Sequence, residues 1–188
     1  MPPVTPATRP VKLSWEDFLT LPPDDKRHEL IDGDHYVTPS PSRRHQTAVG
    51  NLYRILATPV RERRLGRLYV APFDVVLSRH DVVEPDLLFL STERLGRLTE
   101  ANVQGAPDLV IEVVSPRTAA VDRGAKRRAY EKFGVGEYWL VEPEDGTVLV
   151  VRFGETPGGA EWRLGAGQAI TSPLLPGLSI PVGEIFTD

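Results

Sequence analysis

One acidic residue sits where none is expected. Glu112 stands inside Leu109-Val110-Ile111-Glu112-Val113-Val114, a branched aliphatic run with Pro107 before it and Pro116 after it. So short an apolar run, bounded by prolines, reads as a fully buried central strand. A carboxylate there is costly unless it is protonated, paired or bound to a metal. Asp86 is the natural partner: it follows Pro85 and precedes Leu87-Leu88-Phe89-Leu90, a second mostly apolar strand. If the two strands are neighbours, the two carboxylates converge, and two carboxylates with waters are a common holding pattern for Mg2+. The plainer role for Asp86 is to accept a loop backbone hydrogen bond at a strand end. Asp108 shares strand parity with Glu112. Four strand residues span about 13 Å, however, too far for one ion to bridge, so Asp108 is expected to be structural.

Lys126 supplies the third group. Asp122, Lys126 and Tyr130 recur at i, i+4 and i+8 on the helix expected after the central strand, on a face that also carries Phe133. An inward lysine near a metal can orient or deprotonate a water, or stabilise charge on a phosphate. Its plainer role is a pair with Asp122 worth a few tenths of a kcal/mol.

The elements that must position these groups can be read from pattern and punctuation. Residues 1–12 read as a loosely attached tail, with one domain over 13–188. Ser14 and Asp17 suggest a capping box, opening a short helix with Trp15, Phe18 and Leu19 as its apolar stripe, stopped by Pro22 and Pro23. Asp32-Gly33 joins Arg27–Ile31 to Asp34–Val37 as a hairpin, with Glu29 in its first strand and Thr38-Pro39-Ser40-Pro41 ending its second. Ser42 can cap a helix over Arg43–Thr58 whose inward stripe is His45, Val49, Leu52 and Leu56, ended or kinked at Pro59, with Gly66 as a stop after a basic connector. Strands are expected over Leu68–Leu77 and Val82–Leu90, paired antiparallel through Arg79-His80-Asp81. A helix over Ala119–Phe133, ended by Gly134, then leads to a strand at Glu137–Val141, which predicts a strand–helix–strand crossover. Further strands (Val148–Phe153, Trp162–Leu164) precede a proline-punctuated tail at Leu174–Phe186 expected to pack on the sheet. The fold class is α/β (α+β).

Composition narrows the function classes. The 188 residues are 40% hydrophobic and 26% charged, ordinary for a globular chain able to bury about 70% of its unfolded surface. The absence of cysteine excludes disulfides, thiolate zinc sites and cysteine catalysis. No apolar run approaches the roughly 20 residues that span a bilayer, and Met1–Pro10 does not read as a signal peptide, so no membrane partner and a cytoplasmic location are expected. The net charge of −4 argues against a nonspecific nucleic-acid coat but not against a nuclease, where local charge decides. Arg43, Arg44, Arg123 and Arg127 are candidate phosphate contacts within basic clusters whose plainer role is a solvated surface.

Pro85-Asp86, Glu112-Val113-Val114 and Lys126 together resemble the PD-(D/E)XK nuclease pattern with its lysine relocated, since Val114 stands where the lysine usually does. More specifically the chain resembles the Uma-two family of restriction-endonuclease-like proteins over about residues 14–186. The matching pieces are His28-Glu29-Leu30-Ile31-Asp32-Gly33, Ser40-Pro41 with His45-Gln46, Glu84-Pro85-Asp86-Leu87, the Pro107–Pro116 strand, Lys126 with Tyr130, Phe133-Gly134-Val135 with Glu137-Tyr138-Trp139, and Ser172–Leu178. The resemblance implies a restriction-endonuclease-like mixed sheet flanked by helices, Asp86 and Glu112 as metal ligands, and Lys126 as the migrated catalytic lysine. It also suggests Glu29 completing the acidic cluster and His45 lining the site. The expectation is an endonuclease using Mg2+ (or Mn2+) on DNA, as a homodimer because two strands must be cut. The alternatives are a nuclease fold that binds without turnover and a phosphodiesterase acting on something other than DNA.

Overall fold

The structure, a computed structural model, describes residues 11–22, 24, 26–38, 40–154 and 156–188. The tail expected over 1–12 lies outside them up to residue 10, as do Pro23 and Pro39. Two larger sheets carry the fold, and the chain alternates between them. Ser14 and Asp17 form the expected capping box, opening α1 (Trp15–Phe18). The helix stops before Pro22 is reached, and Leu19 is 64% exposed rather than part of an inward stripe. The hairpin of β1 (Arg27–Ile31) and β2 (Asp34–Thr38) turns on Asp32 and Gly33 at φ 51° and 73°, the left-handed pair that a two-residue turn needs.

Helix α2 (Arg43–Glu62) is capped by the Ser42 hydroxyl and buries His45, Val49, Leu52 and Leu56 as the spacing predicts. It does not end at Pro59: Val60, only 3% exposed, anchors one further turn in the core. Nor is Gly66 the stop. It begins β3 (Gly66–Val70) at φ 155°, where a Cβ would fall 1.9 Å from the Leu90 carbonyl oxygen.

The two long strands expected next are each two strands in different sheets. β3 and β4 (Asp74–Ser78) are separated at Ala71-Pro72-Phe73, and β5 (Asp81–Val83) and β6 (Leu87–Ser91) at Glu84-Pro85-Asp86. A proline cannot donate to a ladder, so each marks the point where the chain leaves one sheet for the other. β4 and β5 do pair antiparallel. After a 3-10 turn at Thr92–Arg97 and β7 (Asn102–Gln104), the central strand β8 (Leu109–Val113) is buried at all five positions. α3 (Ala119–Val121), a π-helical segment (Asp122–Lys126) and α4 (Arg127–Phe133) carry the chain to β9 (Glu137–Glu142), parallel to β8, and Gly134 ends the helix at φ 82°. β10 (Thr147–Arg152) and β11 (Ala160–Leu164) extend this sheet; β12 (Ala169–Thr171), β13 (Ser179–Pro181) and α5 (Val182–Ile185) form the tail.

The six-stranded sheet runs β11-β10-β9-β8-β6-β3, and the five-stranded sheet β2-β1-β5-β4-β7. The first is mixed, and its central strands are buried on both faces. Leu109, Ile111 and Val113 pack with α2 residues Leu52 and Leu56 and with Ile180 and Ile185 of the tail. Val110 and Val114 pack with Tyr130 of α4 and with Val75 and Val83 of the second sheet. Strand alternation therefore sends Glu112 to the face shared with α4 and the second sheet. Asp108, at the start of β8, accepts from the Ser91 amide and pairs with Arg94, the structural role expected of it.

Gly66→Ala should cost about 3 kcal/mol or more in urea unfolding, because the methyl collides with the backbone of β6 that delivers Asp86. A loss within about 0.5 kcal/mol, the ordinary range for surface changes, would mean that β3 and β6 are not held this closely.

Candidate active site

β6 and β8 are antiparallel neighbours with Leu87 opposite Ile111. Asp86 immediately precedes Leu87 at the end of this ladder, next to the stretch of β8 that carries Glu112 and Val113. The Val113 amide donates to Asp86 Oδ2 at 2.8 Å, fixing this carboxylate against the central strand. Glu29 arrives from β1, where its Oε1 accepts from the Glu84 amide at 2.9 Å. Lys126 closes the group: its Nζ lies 2.8 Å from Glu29 Oε1, 2.9 Å from Glu112 Oε1 and 3.7 Å from Asp122 Oδ1. The Tyr130 hydroxyl donates to the same Glu112 oxygen at 2.8 Å. Glu29, Asp86, Glu112, Asp122 and Lys126 are each at most 4% exposed.

His45, at the first turn of α2, places Nε2 3.0 Å from Asp86 Oδ2. The five residues expected at the site, Glu29, His45, Asp86, Glu112 and Lys126, thus come together. The four arginines do not join them. Arg43 pairs with Asp188, Arg44 with Glu144, Arg123 with Glu142, and Arg127 with Glu161, all around the periphery.

Two participants were not foreseen. Arg27, at the start of β1, sets NH1 2.7 Å from Asp86 Oδ1 and Nε 2.8 Å from Glu84 Oε1. The second approach is not aligned for a hydrogen bond, and Glu84 Oε1 is buried without one among the described residues. The signal available was parity: Arg27 and Glu29 fall on one face of a short strand.

The electrostatics reflect burial and pairing. Burial pushes the Glu112 carboxyl up to about 8; Lys126 pulls against this, while Asp122, Asp86 and Glu29 reinforce it. Burial also raises Glu84 to about 7 against the pull of Arg27. Asp86 goes the other way: His45 and Arg27 outweigh its burial and hold it down to about 2. Lys126 is held well above the ordinary lysine value, because Glu112, Glu29 and Asp122 overcome its desolvation. Five buried carboxyl groups (Glu29, Glu84, Asp86, Glu112, Asp122) face two permanent cations and one histidine. That acidic excess suits a divalent cation. No group of three or more His, Asp or Glu side chains converges as a ligand set among the described residues.

Linkage gives a test of these environments. Glu112 and Glu84 have folded values above the ordinary 4.5, so the stability they favour is present below pH 4.5 and lost as pH rises through about 7 and 8. Asp86 lies below the ordinary 3.8, so its contribution is lost as pH falls through about 2. Metal-free protein in chelator should lose urea resistance between pH 5 and 8, and Glu112→Gln should flatten that decline. Parallel profiles for wild type and variant would contradict the assignment.

Comparison with known proteins identifies the family and the fold. The Uma2 family, described as "Putative restriction endonuclease", matches residues 15–183. No curated protein matches the sequence. Among solved structures, a "putative nuclease belonging to DUF820" from Anabaena variabilis ATCC 29413 superposes with a TM-score of 0.78 at 21% identity, covering 93% of this chain and 97% of the other. At that identity the likeness speaks for the fold, a mixed sheet flanked by helices. With all but its first residues and its last few matched by the family, the chain belongs to the Uma2 family of restriction-endonuclease-like proteins.

Proposed function

We propose that the protein is a Mg2+- or Mn2+-dependent endonuclease that hydrolyses phosphodiester bonds in DNA, working as one cytoplasmic domain over residues 13–188 and as a homodimer. The observation that supports this reading is the buried cluster in which Lys126 pairs with both Glu29 and Glu112 while Asp86 accepts from the neighbouring Val113 amide. The family description supports nuclease chemistry, and no helix among the described residues is long and apolar enough to cross a membrane.

Asp86 and Glu112 would hold the cation. When bound, it supplies polarisation of the scissile phosphate and a lowered pKa for an attacking water. Lys126 keeps its proton, since its neighbours hold its value high, so it serves as a hydrogen-bond donor rather than a base. It would orient the water and stabilise charge that develops on the phosphate. Glu29 also pairs with Lys126 and would help keep the ammonium in place with Glu112 serving as a ligand. Tyr130 fixes the Glu112 carboxylate, and His45 and Arg27 fix that of Asp86.

A second reading, binding without turnover, is favoured by one feature: Arg27, His45 and the Val113 amide already engage Asp86. Supercoiled plasmid incubated with Mg2+ or Mn2+ separates the two. Cleavage is expected, abolished in Glu112→Gln and reduced about 10²–10³-fold in Lys126→Met, the usual loss for one transition-state donor. Intact DNA across metals, salts and single- and double-stranded substrates, together with no calorimetric uptake of Mg2+, would leave the binding module.

A further inference from the structure

The acidic centre explains cleavage but not how a strand is held beside it. A cleft of about 340 Å3 opens at the N-terminus of α2, lined by Ser42, Arg44, His45, Ser115 and Arg117 among others. His45 is the wall it shares with the centre, because the same imidazole stands 3.0 Å from Asp86. Val114 and Pro143, just past the C-terminal ends of the parallel strands β8 and β9, also line it. Sheets of this kind place ligands beyond the carboxyl ends of their parallel strands.

Several independent features of the cleft favour an anion. α2 is 20 residues long, so its aligned peptide dipoles set partial positive charge at its first turn. The Ser42 hydroxyl takes the His45 amide, but the amides of Arg43 and Arg44 find no acceptor among the described residues. His45 is only 8% exposed, and its Nδ1 has no hydrogen-bond partner among the described residues; because Nε2 serves Asp86, Nδ1 donates to an anion in the doubly protonated form of the ring. Arg117 is exposed at the rim and has no ion-pair partner among the described residues. One carboxylate lies in the cleft, Glu144, 2.8 Å from Arg44. Both side chains are more than half exposed, at 63% and 59%, so solvent screens the pair and an incoming phosphate can replace the carboxylate.

We propose that this cleft is a phosphate subsite, taking the strand phosphate that adjoins the one cut at Asp86 and Glu112. The inference rests on the endonuclease reading and adds the means by which the strand is registered. The free amides of the first turn donate to the phosphate oxygens, Arg44 exchanges Glu144 for them, and Arg117 closes from the far rim. Glu144 then acts as a placeholder that the strand displaces.

The test is fluorescence anisotropy of a labelled single-stranded 12-mer on the full chain, with Ca2+ replacing Mg2+ to prevent cutting, over a series of salt concentrations. Arg117→Gln should weaken binding about 10-fold and lower the salt slope by about one phosphate contact. Glu144→Gln should tighten binding several-fold, and Arg61→Gln, on the far end of α2, should match wild type. Inorganic phosphate should compete only weakly. Unchanged strand affinity in both cleft variants, or weaker binding in Glu144→Gln, overturns the subsite and leaves the endonuclease reading standing. Binding of inorganic phosphate without the strand overturns the nucleic-acid source. No binding of any strand by wild type overturns the subsite together with the reading beneath it.

Discussion

A buried ammonium governs this structure. Lys126 is 4% exposed, and an ion of that size out of water costs several kcal/mol unless its partners are close and well placed. Here they are Glu29 of β1, Glu112 of β8 and Asp122 one helical turn earlier. The same charge therefore ties the second sheet, the central strand and the crossover helix to one point. Removing either side of such a pair leaves the other uncompensated, typically at about 3–5 kcal/mol. Arrangements of this kind are weak devices for stability, since an apolar replacement often does as well.

The helix that carries Lys126 departs from regular α geometry. Asp122–Lys126 is π-helical, between α3 and α4. One added residue rotates the remainder of a helix by about 100° relative to a regular continuation. Within this geometry Lys126 and Tyr130 both reach the same oxygen of Glu112, while the Tyr138 hydroxyl donates to the Asp122 carbonyl and supports the widened turn. Widened turns of this sort are frequent at functional sites. The opposing side is set by α2, whose inward stripe packs on the same sheet and so delivers His45 to Asp86.

Much of this was legible in the residues, for physical reasons that can be named. An acid inside an apolar strand announces itself, because burial without purpose is too costly; Glu112 needed no partner to be noticed. The reach of four strand residues, about 13 Å, then favoured Asp86 over Asp108. The hairpin, the α2 stripe and the crossover all obey local rules of turn chemistry and periodicity, and all are present. What local rules could not supply was the second sheet. The strands at 68–77 and 82–90 each divide, and the dividing residues Pro72 and Pro85 mark a change of sheet only when the partners are known. Arg27 and Glu84 were missed for the same reason: their meaning lies in contacts between β1, β5 and β6, distant in sequence. Pro59 failed as a terminator because burial of Val60 outweighs one lost backbone bond near a helix end. Spacing alone could not foresee the acids that pair with the rim arginines Arg43, Arg44, Arg123 and Arg127.

Cleavage requires the acidic centre to act as a cation site with Lys126 beside it. Anomalous diffraction from a crystal soaked in Mn2+ tests that most directly. A manganese peak bounded by the Asp86 and Glu112 carboxylates, with Lys126 Nζ still within reach of Glu29, is the predicted result. A peak elsewhere, or none at full soak with Lys126 still seated on Glu112, would contradict it.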